Sequence, residues 1–266
     1  MTERDGDVRA QLQVRRDAER GIATVVLDRP ERRNALNAEL VAELRGELAE
    51  LAADERVRVI ALRGAGPDFC AGADLREVRA SVEAGVLVSR EDAQALGDLF
   101  VQMRRMRPPI VALVQGRALA GGCGLATACD LVVAAESARF GYPEVQLGFV
   151  PAMVMSILRR SVGETRAFEL VALGQTIDAR QALEYGIVNR VVPDADFAES
   201  GDAFLADLAE RSATAVALTK RLLYQIDGVD FESAIRTGAD VNALARLTDD
   251  CRAGIDRFLN RKDDTE

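Results

Sequence analysis

Two short stretches constrain this chain more than any others: Cys70-Ala71-Gly72-Ala73-Asp74-Leu75 and Ala120-Gly121-Gly122-Cys123-Gly124-Leu125. Each follows an apolar run, residues 57–62 or Ile110–Val114, that reads as a buried strand. Residues with small or absent side chains let a backbone come close to whatever it meets, and they free amide N–H groups to point at it. Each stretch alone reads more readily as a tight turn from strand to helix. Brought together, the two would supply convergent N–H donors, the device that stabilises negative charge developing on a carbonyl oxygen. A carboxylate follows in Phe140-Gly141-Tyr142-Pro143-Glu144.

The histidine count is zero in 266 residues, and that prunes the chemistry. Nucleophile systems that lean on an imidazole are excluded, as are histidine-containing zinc and iron sites. Any general acid or base must then be a carboxylate, Lys, Tyr or Cys. The four cysteines, Cys70, Cys123, Cys129 and Cys251, include no CxxC pair, so no structural metal site is expected. A net charge of −9 argues against nucleic acid as a partner, because that usually needs a basic face. No apolar run approaches the length that spans a bilayer, and residues 1–10 are polar. Reduced thiols and a cytoplasmic location, with no membrane partner, are the expectation.

Periodicity gives the organisation. Residues 8–14 and Ile22–Leu27 read as strands, the second closed by Asp28-Arg29-Pro30. Asn37 is placed to cap a helix in which Leu40, Val41, Leu44, Leu48 and Leu51 recur at helical spacing. Residues 75–89 are polar and irregular and read as a mobile flap; 92–106 reads as a helix stopped by Pro108-Pro109. Leu131–Ala135 is a further buried strand. Strands without polar alternation predict a sheet covered on both faces, joined by helical crossovers. Beyond Pro151 the pattern becomes helical, over 153–160, Glu164–Leu173, 179–185, 204–210, 213–226 and 250–258. The expected division is an α/β core over 1–200 and a helical region over 201–266, with a charged, frayed end from residue 260.

Five segments in register carry a family resemblance. They are Arg29-Pro30-Glu31-Arg32-Arg33-Asn34-Ala35-Leu36-Asn37, Phe69 to Leu75, Ala118 to Cys123 with Ala128-Cys129-Asp130, Phe140 to Gly148, and Ala182 to Asn189. Together, from about Ile22 to Phe258, they resemble the crotonase (enoyl-CoA hydratase/isomerase) family. The resemblance implies the ClpP-like superfold of repeated ββα units with a C-terminal helical trimerisation region. It also implies a homotrimer or dimer of trimers, and an acyl-CoA thioester substrate passing through an enolate. Coenzyme A enters as part of that substrate, and no separate cofactor or metal is expected.

Carried over by motif, the oxyanion donors are the N–H groups of Ala73 and Gly121, and the catalytic carboxylate is Glu144. Gly121 also sits where a helix should start, which leaves its N–H unpaired within the helix. The resemblance puts Arg33 and Arg76 near the nucleotide end of CoA and Ala71 and Leu75 beside its adenine. Arg261 would reach a neighbouring subunit's nucleotide, and Phe258 would pack in the core or the acyl pocket. Pro67 departs from the pattern, standing where some relatives have lysine. The larger departure is Gly124, which stands where two-carboxylate hydratases have their other glutamate. A lone Glu144 leaves two reactions open. It could shuttle a proton in a Δ3,Δ2-enoyl-CoA isomerase, or it could both activate water and deliver a proton in a hydratase, with the Ala152 N–H orienting the water. The string Leu147-Gly148-Phe149-Val150-Pro151-Ala152 looks like that of methylglutaconyl-type hydratases and tips the reading towards hydration of a short or branched 2-enoyl-CoA. From a different class, an acyl-CoA-binding protein that kept the shape and lost the chemistry remains the alternative.

Overall fold

The computed structural model describes residues 10–263, with side chains to residue 260. β1 (Leu12–Asp17) and β2 (Ile22–Leu27) form a hairpin, followed by α1 (Ala38–Ala53), β3 (Val59–Gly64), α2 (Leu75–Ala84) and α3 (Val86–Arg105). Then come β4 (Ile110–Val114), β5 (Arg117–Leu119), α4 (Gly121–Ala128), β6 (Leu131–Ala135) and β7 (Arg139–Gly141). The remainder is α5 (Ala152–Val162), α6 (Glu164–Leu173), β8 (Thr176–Asp178), α7 (Ala179–Glu184), β9 (Arg190–Val192), α8 (Phe197–Ala209), α9 (Ala213–Gln225), α10 (Phe231–Arg246) and α11 (Asp249–Asp263).

The main sheet has six strands in the order β1-β2-β3-β4-β6-β9, antiparallel only between β1 and β2. A smaller sheet pairs β5 with β7 in parallel and β7 with β8 in antiparallel fashion. Successive side chains of a strand face opposite ways, and both faces of the main sheet are covered. Ile60, Leu62, Ala112, Val114, Val132 and Ala134 join the large core that includes the α1 leucines. Val59, Ala61, Val111, Leu113 and Val133 meet Leu205 and Ala209 of α8 on the other side.

Four expectations move. β1 begins at Leu12 and reaches Asp17, and residues 8 and 9 of the expected strand lie outside the described residues. Residues 75–89 are not a loop: Asp74 accepts from the Arg76 N–H at 3.2 Å and caps α2, and Gly85 at φ 108 turns the chain into α3. No residue of α2 is buried, so it has no core stripe to reveal it, and the same holds for α10. The division at 200/201 cuts α8, whose buried face closes the sheet. The helices that leave the sheet begin at α9. The charged end expected to fray is helical to Asp263, and residues 264–266 lie outside the described residues.

α9 is held to the core by a buried ion pair. Lys220, with its side chain 4% exposed, places Nζ 2.7 Å from Asp130 Oδ2 and donates to the Pro108 carbonyl at 3.0 Å. Asp130 also accepts from the Ile110 N–H at 2.7 Å and from the Tyr224 hydroxyl at 3.0 Å. Every polar group of this cluster depends on the others for its partners. Removing one member strands a charge where solvent barely reaches, which typically costs about 3–5 kcal/mol. Lys220→Met is therefore expected to lower the unfolding free energy from urea titration by that order, and the midpoint with it, with part recovered in the Lys220→Met/Asp130→Asn double variant. Equal midpoints for the wild type and the single variant would contradict this account.

Candidate active site

The segment 29–37 builds one side of the site. Asn34, fully buried at φ 55, donates through Nδ2 to the Ala65 carbonyl at 2.9 Å and to the Asp68 carbonyl at 2.8 Å. Its Oδ1 accepts from the Arg29 N–H at 2.9 Å. Asparagine tolerates the left-handed region because its short amide can bond locally. The segment then runs beside the first glycine loop: Ala71 N–H donates to Arg33, Leu36 N–H to Gly72 at 2.7 Å, and Asp74 N–H to Leu36 at 2.8 Å. Arg29 pairs with Asp74 at 3.1 Å and also donates to the Ala35 carbonyl. This ladder engages the neighbours of Ala73 and passes over its N–H.

The second loop meets the first edge to edge. Cys70 N–H donates to Arg117 at 3.0 Å and Leu119 N–H donates back to Cys70 at 3.0 Å. A Cβ on Gly122 would lie 2.2 Å from the Cys70 carbonyl oxygen, so only glycine permits this approach. Gly72, at φ 103, is confined in the same way: a Cβ there would lie 2.8 Å from Ala120 Cβ and 3.5 Å from the Gly121 nitrogen. A Cβ on Gly121 would stand 3.9 Å from the Ala73 nitrogen. Ala73 and Gly121 are thus neighbours across the two loops. Gly121 opens α4, and neither its N–H nor that of Ala73 is paired among the described residues.

Glu144 arrives on the 3-10 turn that follows the strand next door. Leu119 is in register with Gly141, and the Ala120 N–H donates to the Gly141 carbonyl at 2.8 Å, which fixes the turn that carries Pro143 and Glu144. Glu144 is 7% exposed, and its Oε2 has no hydrogen-bond partner. Burial raises its pKa above the ordinary 4.5, the direction that suits a proton-transfer group, and a backbone N–H partly opposes the shift. Nearby Cys123 is no competitor as a base or nucleophile, because burial pushes its thiol up to about 12.

The remaining residues sort by position. Arg33 and Arg76 are exposed and flank Ala71 and exposed Leu75 along one edge of the first loop. Ala152 does not have the expected free donor: its N–H is used by the Val150 carbonyl at 2.8 Å, in the turn that starts α5. Gly124 is not an open slot either. A Cβ there would lie 2.1 Å from Val154 Cγ1 and 3.4 Å from Phe100 Cζ, so two apolar side chains occupy the place of the absent glutamate. Phe258, 62% exposed, lines a groove of about 420 Å3 with Leu218, Ile255 and Leu259 on α9 and α11, a position apart from the core or acyl pocket expected for it. The Arg261 side chain lies outside the described residues. Among the described residues, no cluster of three His, Cys, Asp or Glu could hold a metal ion. Asn34, Asp74, Phe100 and Val154 were not singled out from the sequence for the site. Only the left-handed turn and the cap at Asp74 left a composition signal.

This fold, with two abutting glycine loops beside a buried carboxylate, is that of a known class of acyl-CoA enzymes. The chain belongs to the enoyl-CoA hydratase/isomerase family, whose model matches residues 17–265. It is 41% identical over 241 residues to the Thermus thermophilus protein named "Putative enoyl-CoA hydratase", a match covering 91% of this chain and 95% of that one. It is 34% identical to the 2,3-dehydroadipyl-CoA hydratase of Escherichia coli, with 91% and 93% covered. The crystal structure of an enoyl-CoA hydratase from Mycobacterium smegmatis superposes with a TM-score of 0.91 at 33% identity, covering 95% of this chain and 97% of that one.

The raised pKa of Glu144 has a consequence for stability. The folded chain binds that proton more tightly than the unfolded chain, so the group costs stability once pH rises above 4.5 and costs most above its folded pKa. Glu144→Gln removes the cost. The variant is expected to melt higher than wild type at neutral pH, with the gap closing as pH falls below 4.5. Melting curves across that range check it, and a gap that does not change with pH would contradict the assignment.

Proposed function

We propose that this protein hydrates a short or branched 2-enoyl-CoA, with Ala73 and Gly121 N–H groups holding the thioester oxygen and Glu144 as the one carboxylate at the reacting carbons. The observation that carries this reading is the meeting of two unpaired N–H donors beside a buried carboxyl with a free oxygen. Negative charge moves onto the thioester oxygen when the β-carbon is attacked. Two preorganised donors offset that charge, and losing one typically costs about 3–4 kcal/mol of barrier lowering. Glu144 as carboxylate takes a proton from water as the water oxygen bonds to the β-carbon. The same carboxyl then gives a proton to the α-carbon of the enolate, and the thioester re-forms. Atoms balance as enoyl thioester plus water giving hydroxyacyl thioester. Arg33 and Arg76 offer positive charge to the CoA phosphates at the exposed edge of the first loop. The names of the relatives support hydration.

The isomerase reading has one specific observation in its favour. The Ala152 N–H is already bonded and the Gly124 position is filled with carbon, so Glu144 has no polar helper for water from either. A single carboxylate suffices to carry a proton between the α- and γ-carbons.

The apolar side chains on α10 and α11, among them Phe231 at 82% exposed, Leu244 at 58% and Ile255 at 53%, support assembly with further copies of the chain. No helix among the described residues is long and apolar enough to cross a membrane. Sedimentation velocity is expected to give a trimer or a dimer of trimers, and a monomer at micromolar concentration would exclude it.

For the reaction, purified protein with 2-enoyl-CoA is expected to bleach the absorbance of the conjugated thioester. Glu144→Gln is expected to abolish that change while still binding the CoA ester. Turnover retained in the variant would remove Glu144 from the mechanism. Appearance of the conjugated chromophore from a 3-enoyl-CoA, with no bleaching of the 2-enoyl ester, would establish the isomerase instead.

A further inference from the structure

The face of α4 that carries Gly121 continues, one turn on, to Gly124, because residues three apart on a helix point the same way. α3 presents a matching pair, Leu96 and Phe100, four apart on one of its own faces. The two faces lie against each other in order. A Cβ on Gly121 would touch Leu96 Cδ2 and Leu36 Cδ1, each at 3.7 Å, an ordinary contact distance that leaves room. A Cβ on Gly124 would collide with Val154 of α5 and meet Phe100 Cζ at 3.4 Å. Exposure follows the same gradient. Gly121 and Leu96 are partly open to solvent, whereas Phe100 and Val154 are 4% and 3% exposed and Gly124 is buried. The space beside the donor at Gly121 therefore has a mouth, and one turn deeper it is shut by carbon.

We propose that Phe100 and Val154 form the floor of the acyl site and set its chain length, restricting the substrate to an uncharged acyl group of about butenoyl size. The inference rests on the reading of Ala73, Gly121 and Glu144 as the acyl-CoA site. With the thioester oxygen at the Gly121 N–H, an acyl chain running along α4 meets the floor after three residues, about 4.5 Å of helix rise. That is the reach of a butenoyl chain, and a longer one would have to displace two buried side chains. Gly124 is what permits the floor: only a residue without a Cβ lets Val154 rest directly on α4. The side chains that these distances place around the chain's path carry no charge. Leu36, Leu96, Phe100 and Val154 are all hydrocarbon, and Met153 Cγ lies 3.6 Å from where a Cβ on Gly97 would be.

The test is a chain-length series: crotonyl-, hexenoyl-, octenoyl- and decenoyl-CoA for turnover, and the saturated acyl-CoAs of the same lengths for binding by calorimetry. Wild type is expected to prefer crotonyl-CoA over octenoyl-CoA by at least about tenfold in kcat/KM, the discrimination that a shut apolar pocket gives against added methylenes. Val154→Ala and Phe100→Leu are each expected to shift the ratio towards octenoyl-CoA by roughly tenfold. Phe100→Leu keeps most of the core volume and serves if Val154→Ala does not fold. Folded variants with the wild-type length preference would overturn the floor. Turnover absent in wild type, with binding that still falls with chain length and recovers in the variants, would overturn the reaction reading and keep the floor. No binding of any acyl-CoA would overturn both.

Discussion

Everything at this site depends on one close approach, that of the second glycine loop to the first. The carbonyl of Cys70 occupies the space where a side chain on Gly122 would begin, and Ala120 Cβ occupies the corresponding space at Gly72. The approach is stitched by hydrogen bonds between residue 70 and residues 117 and 119. It also demands an unusual backbone at Ala120, φ 51 and ψ −128, a conformation that L residues avoid and that costs of the order of 1–3 kcal/mol. What offsets this cost is local: the Ala120 N–H reaches the Gly141 carbonyl, and its own carbonyl accepts from Gly124 at 3.0 Å. The strained residue is the hinge that turns the chain from β5 into α4. It leaves the first N–H of the helix without a partner among the described residues.

The position of Glu144 follows from that same stitch. Residue 120 is bonded to residue 141, so the turn that presents the carboxylate is registered on the loop that presents the donor. Donor and carboxylate cannot drift apart without breaking the small sheet of β5 and β7. The electrostatic consequence is that the carboxylate is buried with one oxygen unpaired, which is unfavourable for folding and useful for moving a proton. Tyr142, fully buried with its own hydroxyl unpartnered beside Cys123 and Thr127, belongs to the same turn. The fold tolerates this cluster because the surrounding core is large and apolar on both faces of the main sheet.

Much of this was legible in the sequence, for identifiable reasons. The α1 stripe is there to be read because Leu40, Val41, Leu44, Leu48 and Leu51 face one core, and Asn37 caps the helix through the Leu40 N–H. The buried strands were legible because strands covered on both faces carry apolar side chains in both directions. α2 and α10 were not, because a helix that buries no side chain leaves no periodic mark. α8 was only half visible for a related reason. Its buried residues are small or widely spaced, Gly201, Leu205 and Ala209, and the first turn shows no stripe. At the site, motif spacing located Ala73, Gly121 and Glu144 along the chain. Which N–H groups were already used, as at Ala152, is a property of turns that spacing does not encode. The role of Asn34 is equally tertiary, since its partners lie about thirty residues away.

Gly124 shows how a missing side chain differs from a vacancy. Read from sequence, glycine at this position is the loss of a second acid. In the folded chain, the space where a glutamate side chain would begin holds Val154, with the tip of the Phe100 ring beside it, both buried against α4. Restoring an acid there requires removing carbon from α5 as well, because a Cβ cannot coexist with Val154 Cγ1 at 2.1 Å. The composition of α4 and that of α5 are therefore coupled. Valine at 154 thus goes with glycine at 124, and under the proposed function with a site whose proton transfers pass through one carboxylate. The economy of acids and the dryness of the deep wall are a single structural fact. Under the proposed function, that fact suits reactions in which one group can give back, on the same face, the proton it has taken.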